Sequence, residues 1–418
     1  MKTKLALFLS TAGLLHAGSP DLETTIAPKP EPWIKPVIDI RARYEFGDVD
    51  GFDPSHALTF RERLGLKTQA WNGFSALIEG EFSQAAIDDY NGGAGPGAEP
   101  FDPANTSIFD PETNELNQAY LQYEGYDTTA KVGRQKIIYD NAAFIGNVGW
   151  RQNEQTYDAL SLANKSIDGL TLNYAYVNQV NRIFGSDADS AIGFLPGFTN
   201  VEDIASDVHL FNASYAGIKG LTLGGYAYIM NFEDVGAWDN NTFGVSAKGA
   251  LGGIMLYGEL AYQDKAGLLG EEDAFYGHAT ATKSFGSQSL TLGIEHLDAG
   301  FKTPLATVHT FNGFADVTDG GRISGAQNGL TDLYVSHTIP IFFGIKWMNA
   351  LHAFGDDEIS DGYGWEFDSV LTKKFDDNFT AIAKFAQFES EGDAYTGGSA
   401  GLALPTATRV SIELNYTF

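Results

Sequence analysis

Apolar and polar residues alternate with a period of two along most of this chain. In 38–46, Ile38, Ile40, Ala42, Tyr44 and Phe46 share one side, and Asp39, Arg41, Arg43 and Glu45 the other. Successive side chains of a strand point to opposite faces, so this spacing predicts a strand with one apolar and one polar face. Residues 58–67 set Leu58, Phe60, Leu64 and Leu66 against Thr59, Arg61, Arg63 and Lys67. Glu62 falls on the apolar side, which predicts an interfacial position, a bulge or a register change. The same alternation puts Phe74, Ala76, Ile78 and Phe82 opposite Ser75, Glu79 and Glu81. Segments of this kind continue to the end of the chain, for roughly eighteen strands.

The links between these segments suggest their order in space. Short links fall at 70–72, 125–127, 165–168, 217–220, 251–252, 285–287, 340–341 and 375–378. Long ones lie between them, among them 84–114, 136–154, 182–206 and 300–329. Unbroken alternation of tight and long connections is expected of an all-β fold, a transmembrane up-and-down antiparallel β-barrel with short periplasmic turns and larger external loops. The last segment fits closure of such a barrel. Val410, Ile412, Leu414, Tyr416 and Phe418 alternate there with Arg409, Ser411, Glu413, Asn415 and Thr417. This strand must pair with the first, because an open edge would leave backbone groups unsatisfied in lipid. Its terminal aromatic resembles the signal that bacterial barrel proteins offer the barrel assembly machinery.

Composition narrows the choice further. Mean hydropathy is −0.16, and past the N-terminus no apolar run reaches the ~18 residues of a spanning helix. Lys2 and Lys4, the apolar run 5–15 and Ala17-Gly18-Ser19 predict a signal peptide over 1–17. Residues 18–35 are predicted as a proline-rich periplasmic lead-in and 36–418 as one barrel domain. Loss of Lys2 and Lys4 moves the formal charge from −28 to −30, which argues against a nucleic-acid partner. Asp88, Asp89, Glu99, Asp102, Asp110 and Glu112 crowd predicted external loops, where they are expected to be solvated and screened over ~8–10 Å. Trp71, Trp238 and Trp365 near strand ends fit an interfacial girdle. The chain has no cysteine, hence no disulfide scaffold and no cysteine metal site. Its histidines are scattered, without metal-ligand or nucleophile–base spacing. No cofactor, no metal and no enzymatic activity is expected.

With the apolar face in lipid, the polar face lines a lumen. The first strands then send Arg41, Arg43, Arg61, Arg63 and Lys67 inward, near Asp39, Glu79 and Glu81. Basic residues around a pore select anions, and the planar arginine fork suits carboxylates. An equally good reading is a ladder of Arg–Glu pairs that braces the wall.

One stretch carries a resemblance. Gly133-Arg134-Gln135, Gly149-Trp150-Arg151 and Thr156-Tyr157-Asp158-Ala159, preceded by Asn114-Glu-Leu-Asn-Gln-Ala-Tyr-Leu-Gln-Tyr123, resemble the fingerprint of the alginate-export family of outer-membrane β-barrels. The resemblance covers roughly a tenth of the chain. It implies a bacterial outer-membrane channel, in contact with lipid and lipopolysaccharide, that exports an alginate-like acidic polysaccharide. It further implies that loop 136–154 folds inward and that Arg134, Arg151 and Asp158 line a polar constriction. Plain alternation sends Arg134 outward with Ala130 and Val132, and Lys131 and Gln135 inward. A bulge at Gly133 would turn Arg134 in. Trp150 is read as an anchor for the folded loop. The alternative function is a general or nutrient porin for small hydrophilic solutes, a cation-selective one included.

Overall fold

The alternating segments form one closed sheet. The structure, a computed structural model, describes residues 32–188, 203–233, 235–267, 269–270, 272–359, 362–392 and 403–418. Its strands are β1 (Ile34–Val49), β2 (Ser55–Thr68), β3 (Phe74–Asp89), β4 (Thr113–Gly125), β5 (Thr128–Gln135) and β6 (Thr156–Ile167). They continue as β7 (Leu170–Asn181), β8 (Asp203–Ile218), β9 (Leu221–Phe232), β10 (Asn240–Leu251), β11 (Ile254–Ala266) and β12 (Glu272–Phe285). The set ends with β13 (Gln288–Leu297), β14 (Leu330–Pro340), β15 (Lys346–Gly355), β16 (Gly362–Lys374), β17 (Phe379–Ser390) and β18 (Ala407–Thr417). All 18 strands pair antiparallel with their chain neighbours. β1 bonds on one side to β2, from Ile34↔Thr68 to Gly47↔Ser55, and on the other to β18, from Asp39↔Thr417 to Val49↔Ala407. No edge is left open, as a sheet in lipid requires. The expected barrel is therefore the observed one.

The strands extend past their predicted bounds. β1 starts at Ile34, inside the predicted lead-in, because β2 is long enough to pair with that segment. Pro36 is tolerated there. β18 reaches only to Ile38, whose N–H bonds the Phe418 carbonyl at 3.1 Å, so nothing on that side needs a donor from Pro36. The predicted signal peptide and most of the lead-in lie outside the described residues. The link from β4 to β5 is the pair Tyr126 and Asp127, both with φ of 53°, a backbone suited to tight hairpins.

Side chains divide as the alternation demands. Leu64, Leu121, Val132, Val245, Leu260, Leu292 and Leu414 are exposed on the outer wall, while Arg43, Arg61, Arg63, Glu79, Glu81, Glu259, Glu295, Glu366 and Glu413 are buried inside. Glu62 stays on the outer face, between Ile40 and Phe82 in unshifted register. The nearby bulge falls at Leu58/Thr59 instead. Trp71 and Trp365 are exposed as a girdle requires, but Trp238 is buried, edge-on to Phe232 at 5.8 Å.

The outer wall gives a direct check on orientation. Leu260 lies in mid-strand, paired with Val245 and Gly277. Leu260→Arg is expected to destabilise the barrel by about 2–4 kcal/mol, read by urea unfolding of barrels refolded in lipid vesicles. A cost under about 0.5 kcal/mol would mean that this face does not meet lipid.

The inner space is filled from within. Loop 136–155 packs against the inner wall. Its Ala143, Phe144 and Ile145 are buried against Tyr226, Tyr228 and Tyr276 of the opposite wall. Loop 298–329 also turns in, with the short helix α1 (Asp319–Ser324) and buried Phe301 and Leu305. That second inward loop was not predicted. The two meet where Ile145 bridges Leu305 and where the Gly146 N–H bonds the Leu305 carbonyl at 2.8 Å.

Candidate functional site: a two-loop plug against a basic wall

Alternation on β1, β2, β17 and β18 gathers basic residues on one side of the lumen. Arg41 and Arg43 of β1, Arg61 and Arg63 of β2, Lys384 of β17 and Arg409 of β18 all belong to adjoining strands. An arginine can direct several N–H donors at once, so it can grip a backbone that has carbonyls to spare. Arg41 donates to the carbonyls of Gly149 at 3.1 Å, Trp150 at 2.9 Å and Arg151 at 2.9 Å. Arg43 also bonds the Trp150 carbonyl, and Arg63 reaches that of Gln152 at 3.2 Å. The basic wall thus holds loop 136–155 by its carbonyl oxygens.

Carboxylates balance this charge. Arg43 pairs with Asp110 at 3.1 Å and with Glu413 at 3.3 Å. Arg63 bonds Glu81 and lies 3.3 Å from Glu154, which also takes Lys136 at 2.5 Å. Arg151 bridges Glu45 at 3.2 Å and Asp316 of the other loop at 2.6 Å. Buried charges of this kind are tolerated only when paired and hydrogen-bonded. Arg61 is the least satisfied member. It bonds Asp39, but its buried Nε and Nη1 have no partner among the described residues.

Strands β13, β14 and β16 carry carboxylates and grip the second loop by the complementary groups. The Glu366 carboxylate accepts from the Phe314 and Ala315 N–H groups at 2.5 and 2.8 Å. A Cβ on Gly313, where φ is +85°, would lie 2.4 Å from that carboxylate, so glycine is needed at this approach. Glu295 accepts from Arg322 at 2.9 Å and from Asn312 at 2.9 Å. Asp332 meets His352 at 2.9 Å. The acidic strands β13, β14 and β16 run up to the basic strands, β16 pairing directly with β17.

The loops join through a compact cluster. The Trp150 and His309 rings stack at 3.7 Å with a 3° interplanar angle. Lys384 Nζ lies 2.9 Å from the Trp150 ring centre and donates to His309 Nε2 at 3.2 Å. That makes Nε2 the acceptor and Nδ1 the donor, and Nδ1 bonds Asp316 at 2.5 Å. Burial holds the His309 imidazole well below its usual pKa, with Lys384 and Arg151 acting in the same direction. Burial alone would raise the Asp316 carboxyl, but His309 and Arg151 outweigh it and hold the group below the usual carboxylate range.

The sequence-derived residues divide into groups. Arg41, Arg43, Arg61, Arg63, Glu81 and Arg151 come together as described, and Glu79 joins them through Asn117 at 2.8 Å. Lys67 is exposed near the short-turn end of β2, apart from the cluster. Arg134 and Asp158 form their own bidentate pair at 2.8 and 3.0 Å. Their registers with Ala119 and with one another carry no shift at Gly133, and Arg134 lines a small cavity with Glu81, Asn117, Asn153 and Glu154. Asp110, expected in solvent, is buried against Arg43. Lys384, Arg409 and Glu413 were missed, although the polar face of β18 already carried Arg409 and Glu413 beside β1.

No family model and no curated protein matches the chain. Solved structures do match in fold. Acinetobacter baumannii OccAB4 superposes with a TM-score of 0.68 at 15% identity, over 94% of this chain and 100% of that one. Pseudomonas aeruginosa OpdO gives 0.65 at 14% identity, over 92% and 97%. Pseudomonas aeruginosa OccK5 (OpdH) gives 0.63 at 15%, over 92% and 98%. These similar structures are outer-membrane porins, and membership of the alginate-export family finds no support. What this chain shares with them is the closed 18-strand porin fold.

Proposed function

We propose that this barrel is an outer-membrane porin for small hydrophilic solutes bearing a carboxylate. The observation that carries this reading is the filled lumen. Two inward loops occupy the space that a hydrated polysaccharide strand would need, which favours the small-solute alternative over polymer export. The fold shared with Occ/Opd porins supports the same choice. The carboxylate preference rests on the basic wall, above all on Arg61 with its two unpartnered donors. Acids on β11, β13, β14 and β16 would draw any ammonium or hydroxyl of the solute away from the arginines. Passage then consists of weak, successive capture, tight enough to enter and loose enough to leave.

Arg61→Gln tests the reading. A hydrogen bond to a charged group contributes about 1.5–3 kcal/mol, so block of single-channel current by a small dicarboxylate is expected to weaken by roughly tenfold or more. Block by a neutral sugar of similar size is expected to stay as it was. Equal loss for both solutes, or no change for either, would remove Arg61 from the solute path.

A further inference from the structure

The geometry points to the Trp150–His309 stack as the gate of the channel, the contact that must part for a solute to pass. This rests on the porin reading above and adds where the path is shut. Two cavities flank the stack. One, of about 80 Å³, lies on the loop side, against Phe109, Phe184, Pro304 and Ile323. The other, of about 10 Å³, lies against the wall residues Glu45, Lys384, Arg409 and Ser411. Trp150 and His309 are the residues that line both cavities. They are therefore the partition between an outer chamber and the basic wall.

Size decides what this partition does. A space of roughly 10–15 Å³ holds about one water, so the wall-side chamber as it stands admits water and no organic solute. The flanking Arg43, Arg409 and Glu45 are fixed by ion pairs or by carbonyls of the loops. His309 is fixed in the same way, by Asp316, but the Trp150 side chain is held differently: it lies face to face on His309, with Lys384 and Arg43 against its ring. The buried Trp150 Nε1 has no partner among the described residues, which favours any state in which that N–H meets water. A swing of Trp150 away from His309 would join the two chambers and bring the basic wall into reach. It would do so without breaking the Gly146–Leu305 and Thr307–Ala142 backbone bonds that hold the loops together.

The absence of native cysteine permits a direct test on the full-length barrel in planar bilayers. Trp150→Cys is expected to raise single-channel current several-fold over the unsubstituted protein. A thiol reagent carrying a bulky uncharged group should then bring the current back to the unsubstituted level or below, with recovery in dithiothreitol. His309→Ala, which removes the other half of the stack, should raise the current in the same way. Complete modification of the introduced thiol, verified by mass, with no change in current would overturn the gate and leave the porin reading standing. So would unsubstituted current in both Trp150→Cys and His309→Ala. No current from any of the three proteins would overturn the porin reading and the gate together.

Discussion

Replacing residues 299–328 by a four-residue Gly-Ser linker is expected to raise single-channel conductance several-fold and to abolish discrimination between acidic and neutral solutes. The barrel should survive the change. Leu297 and Leu330 face one another as the last pair of the β13–β14 ladder, and four or five residues are enough to turn a hairpin. What disappears is the second inward loop, with Phe301, Leu305, His309 and Arg322. Glu295, Asp332 and Glu366 then lose loop partners but gain water, so the wall is not left with buried unpaired charge. Water would also fill the space beside Trp150 and screen the arginines, which weakens their hold on a carboxylate. Conductance and solute block of the shortened barrel check this directly. A current equal to that of the full chain would mean that the loop lies outside the conducting path.

The second large effect concerns Arg151. This residue joins loop 136–155 to Glu45 of β1 and to Asp316 of loop 298–329, and all three groups are buried. Arg151→Met keeps the unbranched stem, removes the guanidinium and leaves Glu45 and Asp316 to share only the longer contacts with Arg409, at 3.4 and 3.9 Å. Breaking a buried ion pair from one side costs about 3–5 kcal/mol. The cost falls on the docking of the loops rather than on the sheet, whose ladders do not include Arg151. Expected results are rapid protease cleavage within 136–155 and a noisy, enlarged current, with the unfolding midpoint of the barrel nearly unchanged. Adding Glu45→Gln and Asp316→Asn should restore much of the protection, because the stranded charges are then gone. Unaltered protection in Arg151→Met alone would show that the carbonyl grip of Arg41 suffices to hold the loop.

Much of the barrel was legible because lipid imposes a simple rule on every strand. The two-residue alternation in 38–46 and 58–67 reports which side meets hydrocarbon, and β1 and β2 carry it there with Glu62 as the exception. Glycine and short polar links mark the tight turns, so the order of short and long connections could be read in one pass. Closure by β18 followed from its unbroken apolar face. Strand ends were less legible. Ile34 and Lys35 join β1 only because β2 extends to Thr68 opposite them, and a partner's length does not show locally.

The lumen was legible in its charges and not in its contents. Arg41, Arg43, Arg61 and Arg63 could be turned inward by counting, but their partners could not be assigned. Asp110 stands 67 residues from Arg43, and Trp150 stands 107 away. Loop 298–329 carried a signal that length alone obscured. Phe301, Leu305, Val308, Phe311, Phe314, Val317 and Ile323 are too many apolar residues for a segment standing in water, and they predict burial. Arg134 was less legible. A family-like motif suggested a lumen position and simple alternation with Val132 an outward one, while the side chain pairs with Asp158 beside a cavity lined by Asn117, Asn153 and Glu154.

The most direct measurement is solute flux into liposomes carrying the refolded barrel, comparing a small carboxylate, a neutral sugar of equal size and an acidic oligosaccharide. Rapid entry of the small carboxylate, slower entry of the sugar and exclusion of the oligosaccharide are expected. Entry of the oligosaccharide at the rate of the small acid would contradict a plugged, small-solute channel. Equal rates for the small acid and the neutral sugar would contradict a basic wall that acts on the solute.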